Sequence, residues 1–248
     1  KQCLNSIKDI ADEIIFVDTG STDKTKEIAK EFNAKIFDLK WVDDFSVARN
    51  FAIEKATGTW ILFLDADEVL SEESKSQIKT LTDNNDEVAY ELTIRTYSNT
   101  AINQDWKPLT EPHKDFKGYY DLFVTRLFQN QKDIFFSGKV HETIHDSLKK
   151  ACKKPKRVDL LVHHYEFLKT KEGVEEKKIG YFDLLQEKLK QAPKDASTHH
   201  QIGVYLRDKK HDIQGALKHF QEAIICNRQY KEAYNDLAVL LFQLNKVQ

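Results

Sequence analysis

The sequence predicts an α/β domain, with a mostly parallel sheet and flanking helices, followed by an all-α tail. In the first part of the chain, short apolar runs alternate with stretches of helical periodicity, which is typical of parallel sheets covered by helices. From Gly173 onward the apolar residues recur only at helical spacing. We therefore predict two domains, residues 1–170 and residues 171–248.

The strands of the first domain end in acidic residues. The apolar run Ile14–Val17 predicts a buried strand, and it is followed by the predicted helix STDKTKEIAKEF and the strand AKIFDL. DFSVARNFAIEKATG predicts a helix that ends before Gly58, WILFLDADE predicts a third strand, and SEESKSQIKTL opens another helix. Ligands of open α/β sheets bind beyond the carboxyl ends of the strands. Asp18 and Asp65 both fall at such ends.

The rest of the first domain predicts further strands. VAYELTIRTY alternates apolar and polar residues like a half-buried strand, and DLFVTRLF and DIFFSGKV predict two more before LVHHYEF closes the region. Residues 98–120 are polar with scattered aromatic residues. A stretch this long without a strand or helix pattern predicts a lid or an acceptor-facing segment.

The tail contains an internal repeat. Aligning QAPKDASTHHQIG with ICNRQYKEAYNDLA places Ile202 on Leu237 and Gly203 on Ala238. The spacing is one residue longer than the tetratricopeptide period of about 34 residues, with the extra residue assigned to the Arg207–Gln214 turn. The sequence therefore predicts a short tetratricopeptide-like tail, and a generic helical hairpin is the alternative.

Bulk composition excludes several classes of protein. The net charge of -2 argues against a nucleic-acid binder that neutralises phosphates. The cysteines Cys3, Cys152 and Cys226 are widely spaced, which predicts a reducing compartment and no disulfide framework. No apolar run reaches the roughly 18 residues of a membrane span, so we expect no integral membrane segment. We predict a cytoplasmic protein, with peripheral membrane association as the alternative.

The DADE stretch predicts a metal site. Asp65 and Asp67 are two residues apart, so in an extended strand their carboxylates would lie on one side and repel each other without a cation. Carboxylate oxygens favour Mg²⁺ or Mn²⁺, commonly shared with substrate phosphates. The alternative is a solvated acidic turn before the next helix. VDTGSTDKT similarly predicts either an anion site at a helix N-terminus or an ordinary capping turn.

The order of these motifs resembles a known family. VDTGSTDKTKEIAKEF followed by FSVARNFAIEKATGTWILFLDADE resembles the family 2 glycosyltransferases of GT-A fold. RLFQN, SGKVHETI and HHYEF, with a tetratricopeptide-like tail, resemble one branch of that family. The resemblance implies an inverting hexosyltransferase. Its donor would be a nucleotide sugar, with UDP preferred, and its acceptor a peptide, a glycan or a lipid-linked sugar.

The resemblance also implies roles for residues on the donor side. Asp18 would hydrogen-bond the base or ribose, and Arg49 would face the nucleotide or its phosphates. Asp65 and Asp67 would form the D-x-D motif, with Asp65 nearer the ribose and Asp67 as a direct ligand of Mn²⁺ or Mg²⁺.

On the acceptor side, the resemblance makes Glu142 the base that deprotonates the acceptor. His164 would complete the metal shell, with His163 left open as the alternative ligand. A homodimer through the helical tail is a further expectation.

The sequence departs from the family pattern in two places. Family members have a strand before the helix that KQCLNSIKDI resembles, so we expect this first strand to be missing from the chain. The start at Lys1 and the absence of Met predict an excised piece of a longer protein. The second departure is Glu166, where the branch often has Gly.

Two other functions compete with sugar transfer. HETIH, residues 141–145, matches the H-E-x-x-H pattern of zinc proteases, which requires a helix with both histidines on one face. Glu166, His163 or His164 could offer a third ligand, but the preceding FFSGKV is strand-like. The other alternative is a non-catalytic adaptor, in which a degenerate transferase domain carries a helical tail for partner binding.

Overall fold

The structure is a computed structural model that describes residues 1–83, 87–99, 105–111, 115–140, 142–165 and 182–245. The chain divides into two compact units, Lys1–Thr170 and Lys171–Gln248. The first unit is an α/β structure, and the described part of the second unit is helical.

The elements of the first unit follow one another in this order along the chain. They are α1 (Gln2–Ile7), β1 (Ile15–Asp18), α2 (Thr25–Glu31), β2 (Lys35–Asp38), α3 (Phe45–Lys55), β3 (Trp60–Leu62), β4 (Glu68–Leu70), α4 (Glu72–Asp83), β5 (Ala89–Ser98), β6 (Lys107–Pro108), β7 (Gly118–Gln129), α5 (His145–Lys150) and β8 (Lys156–His164).

The strands form two sheets. β1 and β2 pair in parallel, and the larger sheet has the order β3-β7-β5-β8-β4, with β6 on β7. The predicted α/β class is confirmed. The prediction of mostly parallel pairing is wrong for the larger sheet, where β5 and β8 are parallel and the other described pairs are antiparallel. Parallel neighbours require crossover connections, and the strand–helix–strand rhythm that supplies them ends with α4.

The larger sheet is covered by apolar residues on both faces. Tyr90, Leu92 and Ile94 of β5 join one buried cluster with residues of β4, α4 and β8. Ala89 of β5 joins a second cluster with Phe128 and residues of the 130–148 region. This alternation places β5 at the centre of the unit, because successive strand side chains point to opposite faces.

The predicted strand DIFFSGKV is wrong. Residues 130–140 contain no strand, although Ser137 and Thr143 form one isolated bridge. The apolar residues of this segment still fill the core, since Ile134 and Phe136 are buried. The side chain of Asn50 hydrogen-bonds the backbone of Phe136 at both N (2.8 Å) and O (2.9 Å). A side chain from α3 thus takes the place of a neighbouring strand.

The second unit confirms the predicted all-α tail. A helix over residues 182–191 (α6) is followed by α7 (Ala196–Tyr205), a π-helical turn (Leu206–Lys210), α8 (Ile213–Cys226) and α9 (Lys231–Asn245). A Cβ on Gly203 would lie 2.6 Å from the ring of Phe220, so α7 and α8 pack closely there. The π turn overlaps the Arg207–Gln214 segment to which the extra repeat residue was assigned.

Within the described residues, no helix combines the length and apolar character needed to cross a membrane.

Candidate active site

The D-x-D motif lies in a turn and not at the end of an extended strand. β3 ends at Leu62, and the backbone N–H of Glu68 donates to the carbonyl of Asp65 at 2.9 Å. The carbonyl of Asp67 accepts from the N–H of Tyr165 at 3.0 Å. The two aspartates do not share one face of a strand, as an extended backbone would require. The turn directs their carboxylates to different partners.

The carboxylate of Asp65 lies between two guanidinium groups. Nη2 of Arg126 donates to its Oδ2 at 2.8 Å, and Nη2 of Arg49 donates to its Oδ1 at 3.3 Å. Burial alone would raise the pKa of Asp65, but the charges of Arg126 and Arg49 outweigh it and lower the pKa. Asp65 is therefore a charged group at neutral pH.

Glu68 is buried beneath this turn and bonds both Asp65 and Arg126. Its Oε2 accepts from the backbone N–H of Asp65 at 2.9 Å, and its Oε1 pairs with Nη2 of Arg126. Burial raises the pKa of Glu68, with the charge of Arg126 opposing it. Sequence analysis assigned no role to Glu68 or Arg126. A charged residue directly before a pair of apolar strand residues, as in EVL and RLF, is the signal that could have found them.

Arg49 connects Asp65 to the predicted base. Nε of Arg49 pairs with Oε1 of Glu142, whose side chain is 6% exposed. The guanidinium lies over the ring of Phe63 at 4.1 Å and over that of Phe136 at 5.2 Å, which fixes its plane. Burial raises the pKa of Glu142, although the charge of Arg49 opposes the shift.

Of the two candidate histidine ligands, His164 is the one that faces Asp67. Its Nε2 lies 3.8 Å from Oδ2 of Asp67, and its Nδ1 hydrogen-bonds the hydroxyl of Thr96 at 3.1 Å. His163 points to the other face of β8, where its Nδ1 hydrogen-bonds the hydroxyl of Tyr97 at 2.7 Å. The bond from Thr96 fixes the orientation of the His164 ring, as the outer partners of metal-binding histidines do.

The pair Asp67 and His164 suits a divalent cation only if a substrate contributes further ligands. In the part of the chain that the structure describes, there is no group of three or more His, Cys, Asp or Glu side chains that could bind a metal. One carboxylate and one imidazole are acceptable to Mn²⁺. Diphosphate oxygens and water commonly complete such sites. The donor set therefore fits a metal that binds together with a nucleotide.

Asp18 stands apart from these groups in its described contacts. It is buried at the end of β1, where its carboxylate accepts from the N–H groups of Gly20 (3.2 Å) and Ser21 (3.1 Å) and lies 3.3 Å from Nζ of Lys26. Burial raises the pKa of Asp18, but these hydrogen bonds outweigh it and the pKa is lowered. Asp18 thus orders the loop between β1 and α2, and among the described residues no hydrogen bond or ion pair joins it to Asp65.

The HETIH motif does not have the geometry of a zinc protease over its described residues. Helix α5 begins only at His145, so Glu142 and His145 do not lie on one continuous helix. Nε2 of His145 hydrogen-bonds the hydroxyl of Thr125 at 3.0 Å, while Glu142 pairs with Arg49. His141 and Glu166, which this alternative also used, lie outside the described residues, as does part of the predicted 98–120 acceptor segment.

Several known proteins are similar to this chain. A TPR repeat-containing protein of Synechococcus elongatus is 40% identical over 147 residues, 59% of this chain and 32% of that protein. The SPβ prophage-derived glycosyltransferase SunS of Bacillus subtilis is 32% identical over 199 residues, 79% of this chain and 43% of SunS. An uncharacterized glycosyltransferase of Rickettsia bellii is 34% identical over 151 residues, 60% of this chain and 47% of that protein. The chain spans about a third to a half of the length of these relatives.

A solved structure shares the fold. The crystal structure of Staphylococcus aureus TarS 1–349 in complex with UDP-GlcNAc has a TM-score of 0.50 and 13% identity, covering 99% of this chain and 87% of that one. The family described as Glycosyl transferase family 2 matches residues 1–145, more than half of the chain. The chain therefore belongs to family 2 of the glycosyl transferases.

Proposed function

We propose that the first unit transfers a hexosyl group from a UDP-sugar to an acceptor with inversion at the anomeric carbon. The observation that carries the proposal is the single guanidinium of Arg49, which contacts both Asp65 and Glu142. It joins a carboxylate assigned to the donor and a carboxylate assigned to the acceptor in one site. Family membership and the UDP-GlcNAc complex of TarS support the choice of donor.

The donor side of the site would be formed by charged groups that the structure fixes in place. Asp65 would contact the ribose, and Arg49 would face the diphosphate from its position between Asp65 and Glu142. Asp18 would shape the loop that receives the base, since its carboxylate holds the N–H groups of that loop. Asp67 and His164 would hold a divalent cation, which supplies positive charge to the diphosphate leaving group when bound.

Glu142 would act as the general base. It takes the proton of the acceptor nucleophile as that atom forms a bond to the anomeric carbon. The bond from this carbon to the UDP oxygen breaks, and UDP leaves with the electron pair. A base works best when its pKa lies nearer the working pH, and burial raises the pKa of Glu142 in that direction.

The tail is proposed as a tetratricopeptide-like region of residues 171–248 that binds a partner, the acceptor or a second copy of the chain. The proposed acceptor is a peptide, a glycan or a lipid-linked sugar, and the proposed location is the cytoplasm, in the soluble phase or peripheral to a membrane.

A calorimetric titration of UDP tests the donor assignment. We expect binding with Mn²⁺, much weaker binding with EDTA, and loss of the metal effect in Asp67→Ala. Asp9→Ala, which changes an exposed aspartate of the same unit, is the matched control and should behave as wild type. Unchanged binding in Asp67→Ala would refute the site assignment. Failure of the wild type to bind UDP or GDP would favour the adaptor alternative.

A further inference from the structure

Two buried charged residues meet beneath the D-x-D turn from distant parts of the sheet. Glu68 begins β4 and is 1% exposed, and Arg126 lies on β7 and is 8% exposed. In the sheet order, β5 and β8 separate β7 from β4. Arg126 therefore reaches across the sheet to make this pair, and neighbouring strands do not impose the contact.

The pair holds the backbone and the side chain of Asp65 at the same time. Oε2 of Glu68 accepts from the Asp65 N–H at 2.9 Å, while Nη2 of Arg126 donates to Oδ2 of Asp65 at 2.8 Å. Arg126 and Glu68 bond to each other through that same Nη2. The three residues form a closed ring, and Asp67 lies in the turn that this ring closes.

Stability alone does not account for a buried ion pair at this place. Removing two charges from water is unfavourable, and apolar residues of similar volume usually replace a buried pair without loss of stability. Nε of Arg126 is buried and has no hydrogen-bond partner among the described residues, which is a further unfavourable term. What the ring supplies, and an apolar pair would not, is a fixed direction for the Asp65 carboxylate.

Arg126 is also the closer of the two guanidinium groups around Asp65. Its Nη2 lies 2.8 Å from the carboxylate, whereas Nη2 of Arg49 lies 3.3 Å away and the Nε of Arg49 is bonded to Glu142. The orientation of Asp65 therefore depends mainly on Arg126.

We propose that Glu68 and Arg126 are positioning residues that hold the Asp65–Asp67 turn in the geometry that binds a metal and a nucleoside diphosphate together. This inference rests on the proposed function. Neither residue contacts the donor in the proposal; both act through Asp65.

The test compares metal-dependent UDP binding in three variants by calorimetry, with thermal unfolding measured alongside. In Glu68→Gln, the amide has one acceptor oxygen in place of the two carboxylate oxygens that bond the Asp65 N–H and Arg126. We therefore expect at least a tenfold loss of UDP affinity with Mn²⁺. The double variant Glu68→Leu/Arg126→Met fills the same space with apolar atoms, and we expect it to remain folded and to lose the Mn²⁺ effect. In both variants, the affinity for UDP in EDTA should fall by a smaller factor than the affinity with Mn²⁺.

Asp121→Asn is the matched control. It disturbs a second ion pair of β7, in which Arg95 binds Asp121 through two bonds of 2.8 Å and 3.0 Å, without touching the D-x-D turn. We expect its Mn²⁺-dependent UDP affinity to stay within twofold of wild type. The unfolding temperatures of this control and of the double variant show whether a loss of binding follows from a loss of fold.

The outcomes separate the inference from the proposed function. Wild type that binds UDP with Mn²⁺, together with a folded double variant that binds equally well, would overturn the positioning role and leave the proposed function standing. Wild type that binds no UDP would overturn both. An Asp65→Asn background supplies an independent check, because Glu68→Gln should then have a smaller effect than in the wild type; a full additive loss would contradict action through the Asp65 carboxylate.

Discussion

Replacing Glu142 by Gln removes the proposed base with almost no change in shape. The amide oxygen can still accept from Nε of Arg49, and Arg49 keeps its bond to Asp65 and its contact with Phe63. The destabilisation should therefore stay near the value of one charged hydrogen bond, about 1–3 kcal/mol. It should not reach the loss of about 3–5 kcal/mol that follows when a buried charge is left without a partner.

The effect on the reaction should be much larger than the effect on the fold. A positioned general base contributes about 10²- to 10⁴-fold to a rate. This corresponds to about 3–5 kcal/mol of activation free energy. We expect kcat to fall by that factor in Glu142→Gln, because the amide cannot take the acceptor proton. The affinity for UDP should remain within about threefold, since Glu142 is assigned to the acceptor side.

The assay is release of UDP from UDP-GlcNAc at saturating donor, with water as the acceptor, beside a calorimetric titration of UDP. Glu142→Asp is the informative companion, because it keeps a carboxylate that is one methylene shorter and should retain part of the rate. The assignment fails if Glu142→Gln turns over within threefold of wild type. It fails equally if kcat is unchanged and only UDP binding is lost, which would place Glu142 on the donor side.

Three further predictions concern pH, the loop contacts of Glu13 and helix packing. The acid limb of the kcat profile should lie above the ordinary glutamate pKa of about 4.3, since burial raises the pKa of Glu142 and the base must be ionised. The acid limb should move to a still higher pH in Arg49→Gln, because this change removes the positive charge that lowers the pKa of Glu142. A move to lower pH would contradict the assignment. The carboxylate of Glu13 accepts hydrogen bonds from a lysine of β2 and from two backbone N–H groups. These bonds, the lysine's above all, lower the pKa of Glu13 to about 2. Glu13→Gln should therefore lower the unfolding free energy by about 1–3 kcal/mol in urea titrations. That contribution is complete above about pH 4.3 and is lost as the pH falls toward 2, so a loss that is equal at pH 7 and pH 3 would contradict it. Gly203→Ala should destabilise the tail by about 1–3 kcal/mol, because the new Cβ would lie 2.6 Å from an aromatic ring of α8. Gly58→Ala is the control and should be neutral, because its Cβ would lie 3.5 Å from the nearest atom. Equal unfolding temperatures of the two variants would refute this difference.

Local patterns in the sequence were sufficient to predict the order of strands and helices in the first half of the first unit. Asp18 ends β1, as the apolar run before it predicts, and α3 ends at Lys55, shortly before Gly58. Each of these elements is specified by neighbouring residues, through apolar spacing, the Asp44 cap of α3 and the turn residues that follow.

The geometry of the D-x-D turn could not be predicted in the same way. DADE was interpreted as the extended end of a strand, but Asp65 is held by Arg126, which lies 61 residues further along the chain. The loop at Phe136 is similar, because its backbone bonds go to Asn50, 86 residues away. A pattern of apolar residues reports burial, and it does not report which distant polar group satisfies the backbone there.

The position of Arg49 explains why the H-E pair of HETIH can serve sugar transfer instead of zinc binding. A protease would need Glu142 on a helix beside two histidines, but here Thr143 forms a β-bridge with Ser137 and α5 begins only at His145. Glu142 therefore turns toward α3 and meets Arg49, which is also bonded to Asp65. A shift of either carboxylate must move the guanidinium between them. In the proposed reaction, the donor and acceptor halves of the site would thus be mechanically coupled, and substitutions at Asp65 and Glu142 should not be additive.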